Sequence, residues 1–410
     1  MRHFRFTVVF AIAIVLSRVP STERLARAAE QQVDDLSSVL ADSIEKHKLP
    51  GMAAAIVEGG HITALGAAGV RCRGHEERIT TDDLFHIGSD TKSMTATLIS
   101  LLVEEGKLRW NSTPVDVFGN RGIKEIDPAW QHVTLEELLT HRAGVRPNPD
   151  MVTLLGGLAL SPREQRTRVC RVVLRKPPDH PPGKDFLYSN TGYIIAGAMA
   201  EAVADEPWEE LMIRRVFKPL GMAHVGFGAP GVPPAHAKGS NPSPSIKITQ
   251  PWGHLSSGEA VKPGPQADNP PCLGPAGRVH LTLDDWARYA ALHLSAGKVS
   301  RNSGALTGTK PLLPLTSLQR LHTPFDGPID RSGTKYAMGW GVRELPGSRG
   351  IELSHAGSNT MWYAVISLRM SENRAILIVT NQGGDGAGAA CAEVKAALLK
   401  RAGRPHEVQK

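Results

Sequence analysis

Ser89 and Lys92 stand three positions apart, where one helical face carries both side chains. A serine hydroxyl becomes a useful nucleophile when a base takes its proton. A lysine supplies that base if burial or a like charge lowers its pKa from about 10.4. A helix starting at the serine adds free N–H groups and partial positive charge. The chemistry is acyl transfer through a covalent intermediate. Spacing alone is weak, because S-x-x-K occurs four times: Ser43/Lys46, Ser89/Lys92, Ser295/Lys298 and Ser332/Lys335. Only Ser89 opens an apolar helix after an apolar approach, Leu84-Phe85-His86-Ile87-Gly88. A plain helix N-cap is the alternative role for Ser89.

Two further motifs could serve the same chemistry. Tyr188-Ser189-Asn190 is the single Y-x-N, placed where a Pro-rich approach turns into a helix. A phenol near a lysine can share its proton. The Asn190 amide can fix the lysine and hold a substrate carbonyl. The alternative is a helix-capping turn. His355-Ala356-Gly357-Ser358 closes a strand-like run, although H-x-G recurs at His86 and His224. Gly357 would let a substrate backbone lie close. A backbone N–H beyond it could complete an oxyanion hole with that of Ser89. The alternative is an ordinary strand-end turn.

The positioning elements follow from periodicity. Val33, Leu36, Leu40 and Ile44 predict a helix over 30–47, ended by Pro50. Runs Gly51–Glu58 and His61–Val70, joined at Gly59-Gly60, predict a hairpin. Helices are expected over 89–105, from Thr134 (capping box with Glu137), over 191–204, 207–217 and Leu283–Leu294. Residues 228–278, rich in Pro, Gly, Ser and Asn, read as a long ordered loop. Strands are expected at Ala337–Glu344, Gly350–His355, Met361–Arg369 and Ala375–Thr380, and a last helix at Gly386–Leu399. The expected class is α+β: an antiparallel sheet flanked by helices, formed by both chain ends, with a mostly helical insertion. The α/β part covers about 30–88 and 279–404, the insertion about 89–278, and 405–410 form a tail.

With 410 residues, 41% of them hydrophobic, the chain can bury a large core. Arg2, His3 and Arg5 precede an eleven-residue apolar run, Phe6–Leu16, and Ala26-Arg27-Ala28 offers a cleavage site. A membrane span needs roughly 20 residues, so 1–28 read as a secretory signal, with an uncleaved anchor as the alternative. The expected location is periplasmic or secreted, without stable membrane insertion after cleavage. That segment holds five Arg and one Glu, so its removal lowers the net charge from +7 to +3. Nucleic-acid binding is therefore not expected. Cys72, Cys170, Cys272 and Cys391 lack C-x-x-C spacing. They could form disulfides or stay buried thiols. Sixteen His without H-E-x-x-H give no support to a metal-dependent hydrolase.

The order S-x-x-K, Y-x-N, H-x-G, about 100 and 165 residues apart, resembles the serine β-lactamase and penicillin-binding-protein superfamily. It is nearest the branch of class C β-lactamases, D-alanyl-D-alanine carboxypeptidases, D-aminopeptidases and esterases. Leu138-Leu139-Thr140-His141-Arg142-Ala143-Gly144-Val145 and Phe217-Lys218-Pro219-Leu220-Gly221-Met222 are similar to further landmarks of that superfamily. The resemblance spans about 35–400 and implies the β-lactamase/transpeptidase-like fold. It implies Ser89 as nucleophile, with Lys92 and Tyr188 sharing acid and base work. Asn190 would position Lys92 and substrate, His355 and Gly357 would line the substrate, and the N–H groups of Ser89 and Ser358 would form the oxyanion hole. No metal or cofactor is implied, and the partner is a small-molecule or peptide substrate with an amide, β-lactam or ester bond. Many members carry K-T-G where this chain has His355-Ala356-Gly357. A histidine, with an ordinary pKa near ~6.5, is mostly neutral at pH 7. The expected site is thus less committed to carboxylate-bearing β-lactams and accepts esters or D-amino-acid amides. A catalytically silent penicillin sensor or peptidoglycan-binding paralogue is the competing class.

Overall fold

The computed structural model describes residues 33–121, 123–231, 248–297, 311–327, 333–347 and 349–401. In chain order the strands are β1 (Asp34–Asp35), β2 (Gly51–Glu58), β3 (His61–Gly69), β4 (Phe85–His86), β5 (Val225–Phe227), β6 (Gly253–His254), β7 (Ala260–Val261), β8 (Val279–Leu281), β9 (Lys335–Tyr336), β10 (Gly341–Glu344), β11 (Ile351–Ser358), β12 (Tyr363–Arg369) and β13 (Arg374–Thr380). The helices are α1 (Ser37–His47), α2 (Thr91–Glu104), α3 (Pro114–Phe118), α4 (Leu135–Leu139), α5 (Met151–Leu155), α6 (Pro162–Val173), α7 (Asn190–Ala204), α8 (Trp208–Met212), α9 (Gly274–Gly277), α10 (Leu283–Leu294), α11 (Leu315–His322) and α12 (Asp385–Arg401).

Both chain ends build one sheet, in the order β1-β3-β2-β13-β12-β11-β10-β9. The first half joins the second where β2 pairs antiparallel with β13, Ala55 opposite Leu377. The expected antiparallel sheet has one exception at its edge, where β1 runs parallel to β3. The α+β class holds.

Period-two side chains explain the layers. On β2, Met52, Ala54 and Ile56 face a core shared with Leu36, Leu40 and the α12 stripe Ala387, Ala390, Cys391, Val394 and Leu398. Ala53, Ala55 and Val57 face the opposite core, which contains Met94, Leu98 and Leu102 of α2. The sheet is covered on both faces, and α2 is buried in the helical layer. Burying each large apolar side chain stabilises by about 1.5–3 kcal/mol.

Several boundaries differ from expectation. Residues 34–36 leave the first helix because Asp34–Asp35 pair with β3, and the helix begins at Ser37. Residues 30–32 lie outside the described residues, as do 1–28 and 405–410. The expected helix 89–105 starts as a 3₁₀ turn, Gly88–Asp90, and becomes α-helical at Thr91. The Thr134–Glu137 capping box is present, on a helix that stops at Leu139. The 207–217 helix loosens into a π-helical turn over Ile213–Phe217. The loop expected over 228–278 is not structureless: it holds β6, β7, two 3₁₀ turns and α9, with 232–247 outside the described residues. β11 runs on to Ser358, so Ala356 to Ser358 sit inside a strand rather than after one. Among the described residues no helix is long and apolar enough to cross a membrane. All four cysteines are buried and unpaired.

Candidate active site

Ser89 sits half-buried in the 3₁₀ turn, and Lys92 sits fully buried in the first turn of α2. Lys92 Nζ lies 3.0 Å from Ser89 Oγ, 2.7 Å from Asn190 Oδ1 and 2.7 Å from the Ala276 carbonyl oxygen. The Asn190 orientation is fixed from its other side, where Nδ2 donates to Asn148 Oδ1 at 2.8 Å. Two of the three lysine partners can therefore only accept. A neutral amine has two N–H bonds for these acceptors and one lone pair left for the serine hydroxyl. Burial drives the Lys92 pKa well below its ordinary value, with the Asp90 carboxylate acting in the other direction. The geometry thus suits a neutral lysine that receives the Ser89 proton.

Tyr188 leads into α7 and closes the site from the opposite side. Lys92 Nζ stands 4.8 Å from the Tyr188 ring centre. Burial pushes the phenol pKa above its ordinary value, and a hydrogen bond to Ser89 works against that shift. The shifts favour the neutral amine of Lys92 and the protonated phenol of Tyr188, so the amine is free to accept a proton and the phenol has one to donate.

His355, Gly357 and Ser358 approach along β11. A Cβ added at Gly357 would lie 1.9 Å from the Ile87 carbonyl oxygen and 2.7 Å from Ser89 N. One added at Gly88, whose φ is +50°, would lie 2.3 Å from Ser358 N. Both positions need glycine, and their contact brings the backbone nitrogens of Ser89 and Ser358 up against the same strand-turn seam. A cavity of about 520 Å³, lined in part by Ser256, Ser358, Thr360, Tyr363 and Asp385, opens at Ser358 between the end of β11 and the start of α12.

The motif residues are thus brought together, with partners that sequence reasoning missed. Asp90, 1% exposed, turns its carboxylate to His355 Nδ1 at 3.3 Å. Burial raises its pKa to about 6, against the opposing pull of His355 and Lys92. Tyr336 OH meets the other imidazole nitrogen of His355 at 3.0 Å. His141 accepts the Ser189 N–H at 3.0 Å and lies 4.2 Å, ring centre to ring centre, from Tyr188, so it braces the Y-x-N turn. Burial holds it well below the ordinary histidine range. His86, which heads its own H-x-G, supports the turn that carries Ser89. Its Nδ1 accepts the Gly88 N–H at 3.1 Å, and Nε2 faces Asp268 Oδ1 at 2.9 Å. Asp268 is held in turn by Arg278 Nε at 2.6 Å. The acidic residue beside Ser89 and the His141 landmark were visible signals. A carbonyl such as that of Ala276 leaves none. Among the described residues no cluster of His, Cys, Asp and Glu could hold a metal ion.

Comparison with known proteins agrees with this architecture. The family model described as Beta-lactamase matches residues 25–400. "Penicillin-binding protein 4" of Amycolatopsis lactamdurans is 28% identical over 343 residues, 82% of either chain. "Beta-lactamase" of Escherichia coli (strain K12) is 27% identical, covering 65% of this chain and 63% of that protein. Among solved structures, the octameric penicillin-binding protein homologue from Pyrococcus abyssi superposes with TM-score 0.69 at 22% identity, over 88% of this chain and 76% of that one. The D-alanine carboxypeptidase AmpC from Burkholderia cenocepacia gives TM-score 0.64 at 20% identity, over 87% and 96%. These likenesses at low identity speak for the fold, and the family match carries the assignment. With its fold and its extent matched over almost the whole described chain, this protein belongs to the Beta-lactamase family, within the β-lactamase and penicillin-binding-protein superfamily of serine hydrolases.

Proposed function

We propose that this chain is an exported serine hydrolase, periplasmic or secreted once residues 1–28 are removed, that works through an acyl-enzyme on Ser89. The observation that carries the reading is the buried Lys92 amine, 3.0 Å from Ser89 Oγ and otherwise surrounded by obligate acceptors. Lys92 takes the hydroxyl proton as Oγ attacks the substrate carbonyl. The N–H groups of Ser89 and Ser358 receive the developing oxyanion. Tyr188, held protonated, donates to the leaving group. Water then attacks the ester and regenerates Ser89, with the same pair moving the protons in reverse.

The substrate reading follows from His355. Its Nδ1 faces the buried Asp90 carboxylate, so any positive charge on the ring is balanced inside the protein. A substrate carboxylate finds less there than it would at a free lysine. We therefore assign simple esters and D-amino-acid amides ahead of carboxylate-bearing β-lactams. The test is a panel on purified protein: a short-chain nitrophenyl ester, D-alanyl amides and a chromogenic cephalosporin. Ester or amide turnover above cephalosporin turnover at pH 7 is expected. The reverse order would overturn the substrate assignment. Covalent labelling by a fluorescent penicillin with no turnover of any substrate would overturn hydrolysis in favour of a sensor.

A further inference from the structure

Nine large apolar side chains are exposed among the described residues, and six of them, Met151, Val152, Leu155, Leu158, Leu160 and Val172, fall within positions 151–172. Single exposed hydrophobics are ordinary, whereas a cluster needs an explanation. The segment is not loose. Asp150 caps α5 through the Thr153 N–H at 2.8 Å, and Leu154 packs inward on Val169, Ile194, Cys272 and Leu273. Helix α5 therefore has an anchored inner face. Its outer face carries Met151, Val152 and Leu155 at 64%, 78% and 58% exposure.

The neighbouring charges identify the partner. A cavity of about 430 Å³ runs between Leu160 and Val172 and is lined by Arg168, Arg171 and Arg175. Lys176 follows, exposed like Arg171. The one acid in the lining, Glu164, is turned back onto the Ser161 N–H and hydroxyl as part of the α6 cap. Arg175 has an exposed ion pair with Glu125, and Arg168 donates to the Thr153 carbonyl. Cations thus exceed acids at the rim of an apolar face. A second copy docked through the same face across a two-fold axis would set this arginine row against itself. A surface that accepts apolar side chains at its centre and offers negative charge around them fits better.

We propose that the 151–172 face docks peripherally on an anionic lipid bilayer. Met151, Val152, Leu155 and Leu158 enter the acyl boundary, and Arg168, Arg171 and Lys176 meet the lipid phosphates. Asn148, just before α5, is hydrogen-bonded to Asn190. Docking therefore brings the Asn190 side of the Ser89 cleft near the lipid surface.

The test places a reporter on the face itself. The four native cysteines are buried, so Leu155→Cys in the full chain takes a nitrobenzoxadiazole label selectively. The label reads insertion at position 155, separately from any contact made by Phe6–Leu16. A blue shift with increased emission is expected on phosphatidylcholine vesicles containing phosphatidylglycerol, weakening as salt is raised. Arg171→Ala in the labelled protein should lower partitioning about fivefold, the equivalent of ~1 kcal/mol per surface cation. The same label at Leu315→Cys, an exposed apolar position on α11, should not respond. No response on the anionic vesicles would overturn the proposal. So would an equal response on pure phosphatidylcholine, an equal response at 315, or a lipid-free shift that grows with protein concentration, which would mark a self-interface.

Discussion

Replacing Gly357 by alanine should disable the proposed chemistry without changing the side chain of Ser89 or Lys92. The added methyl would stand 1.9 Å from the Ile87 carbonyl oxygen, 2.7 Å from Ser89 N and 2.9 Å from the Ile87 carbonyl carbon. Real Cβ contacts stop near 3.0 Å, so strand and turn must separate by on the order of 1 Å. β11 is paired with β12 as far as Ser358 and with β10 over Ile351–Ser354, so at Gly357 it is held by β12. Overpacking of this kind costs about 1–3 kcal/mol of stability. The functional cost is larger. The N–H groups of Ser89 and Ser358 lie on the two sides of the contact, so a separation near 1 Å removes one from hydrogen-bond reach of a shared oxyanion. Loss of one such donor costs about 2.7–4 kcal/mol of transition-state stabilisation, roughly 10²–10³ in kcat. The assay is hydrolysis of a nitrophenyl butyrate by purified variants, with thermal unfolding followed by circular dichroism. Gly357→Ala should lose kcat far more than it raises KM, in a chain that still folds cooperatively. Ala356→Ser, one position earlier and exposed, should behave like the parent protein. A Gly357→Ala variant with parental kcat would refute the assignment of Ser358 N–H to the oxyanion hole.

Other expected outcomes concern the groups around the nucleophile. Lys92→Met should lower kcat by about 10²–10⁴, the usual range for a lost general base. Because burial places the lysine pKa well below its ordinary value, parental activity should rise with pH through that lowered pKa, and a kcat–pH profile of Lys92→Met should lack this limb. Asp90 has its folded pKa raised from 3.8 to about 6, chiefly by burial. Its contribution to stability is therefore fully present below 3.8 and lost as pH rises through about 6. Urea unfolding between these limits should show the slope in the parent and a shallower one in Asp90→Asn. His86→Ala leaves the buried Gly88 N–H without its acceptor. Stability should fall by about 1–3 kcal/mol, and kcat should fall with KM little changed. An unchanged kcat would mean that the His86–Asp268 support does not reach the nucleophile.

Much of the site was legible because its motifs are local. Ser89 and Lys92 share a turn, Tyr188 and Asn190 share a helix start, and His355, Gly357 and Ser358 share a strand. Period-two alternation in β2 and β13, and helical stripes in α2 and α12, announced the sheet and its cover. What stayed hidden is set by long-range packing. His86 and Asp268 are 182 positions apart, and Lys92 and Ala276 are 184. Helix α6 reads as a solvated run, Pro-Arg-Glu-Gln-Arg-Thr-Arg, yet Arg166 within it is fully buried between Glu201 and Glu209. The expected strand ends at His355 because Ala-Gly-Ser reads as a turn. β11 continues to Ser358 because β12 pairs with it that far, Ser358 opposite Tyr363. Likewise Ser89 does not open the α-helix, because Gly88 must take a left-handed backbone to let β11 pass.

The central claim is that Ser89 becomes covalently acylated with Lys92 as its base. The most direct measurement is intact-protein mass spectrometry, with peptide mapping, after brief incubation with a slowly deacylated penicillin or an activated ester. The mass of one acyl group is expected on the peptide carrying Ser89, absent in Ser89→Ala and strongly slowed in Lys92→Met. An adduct on another residue, or one that persists in Ser89→Ala, would contradict the account.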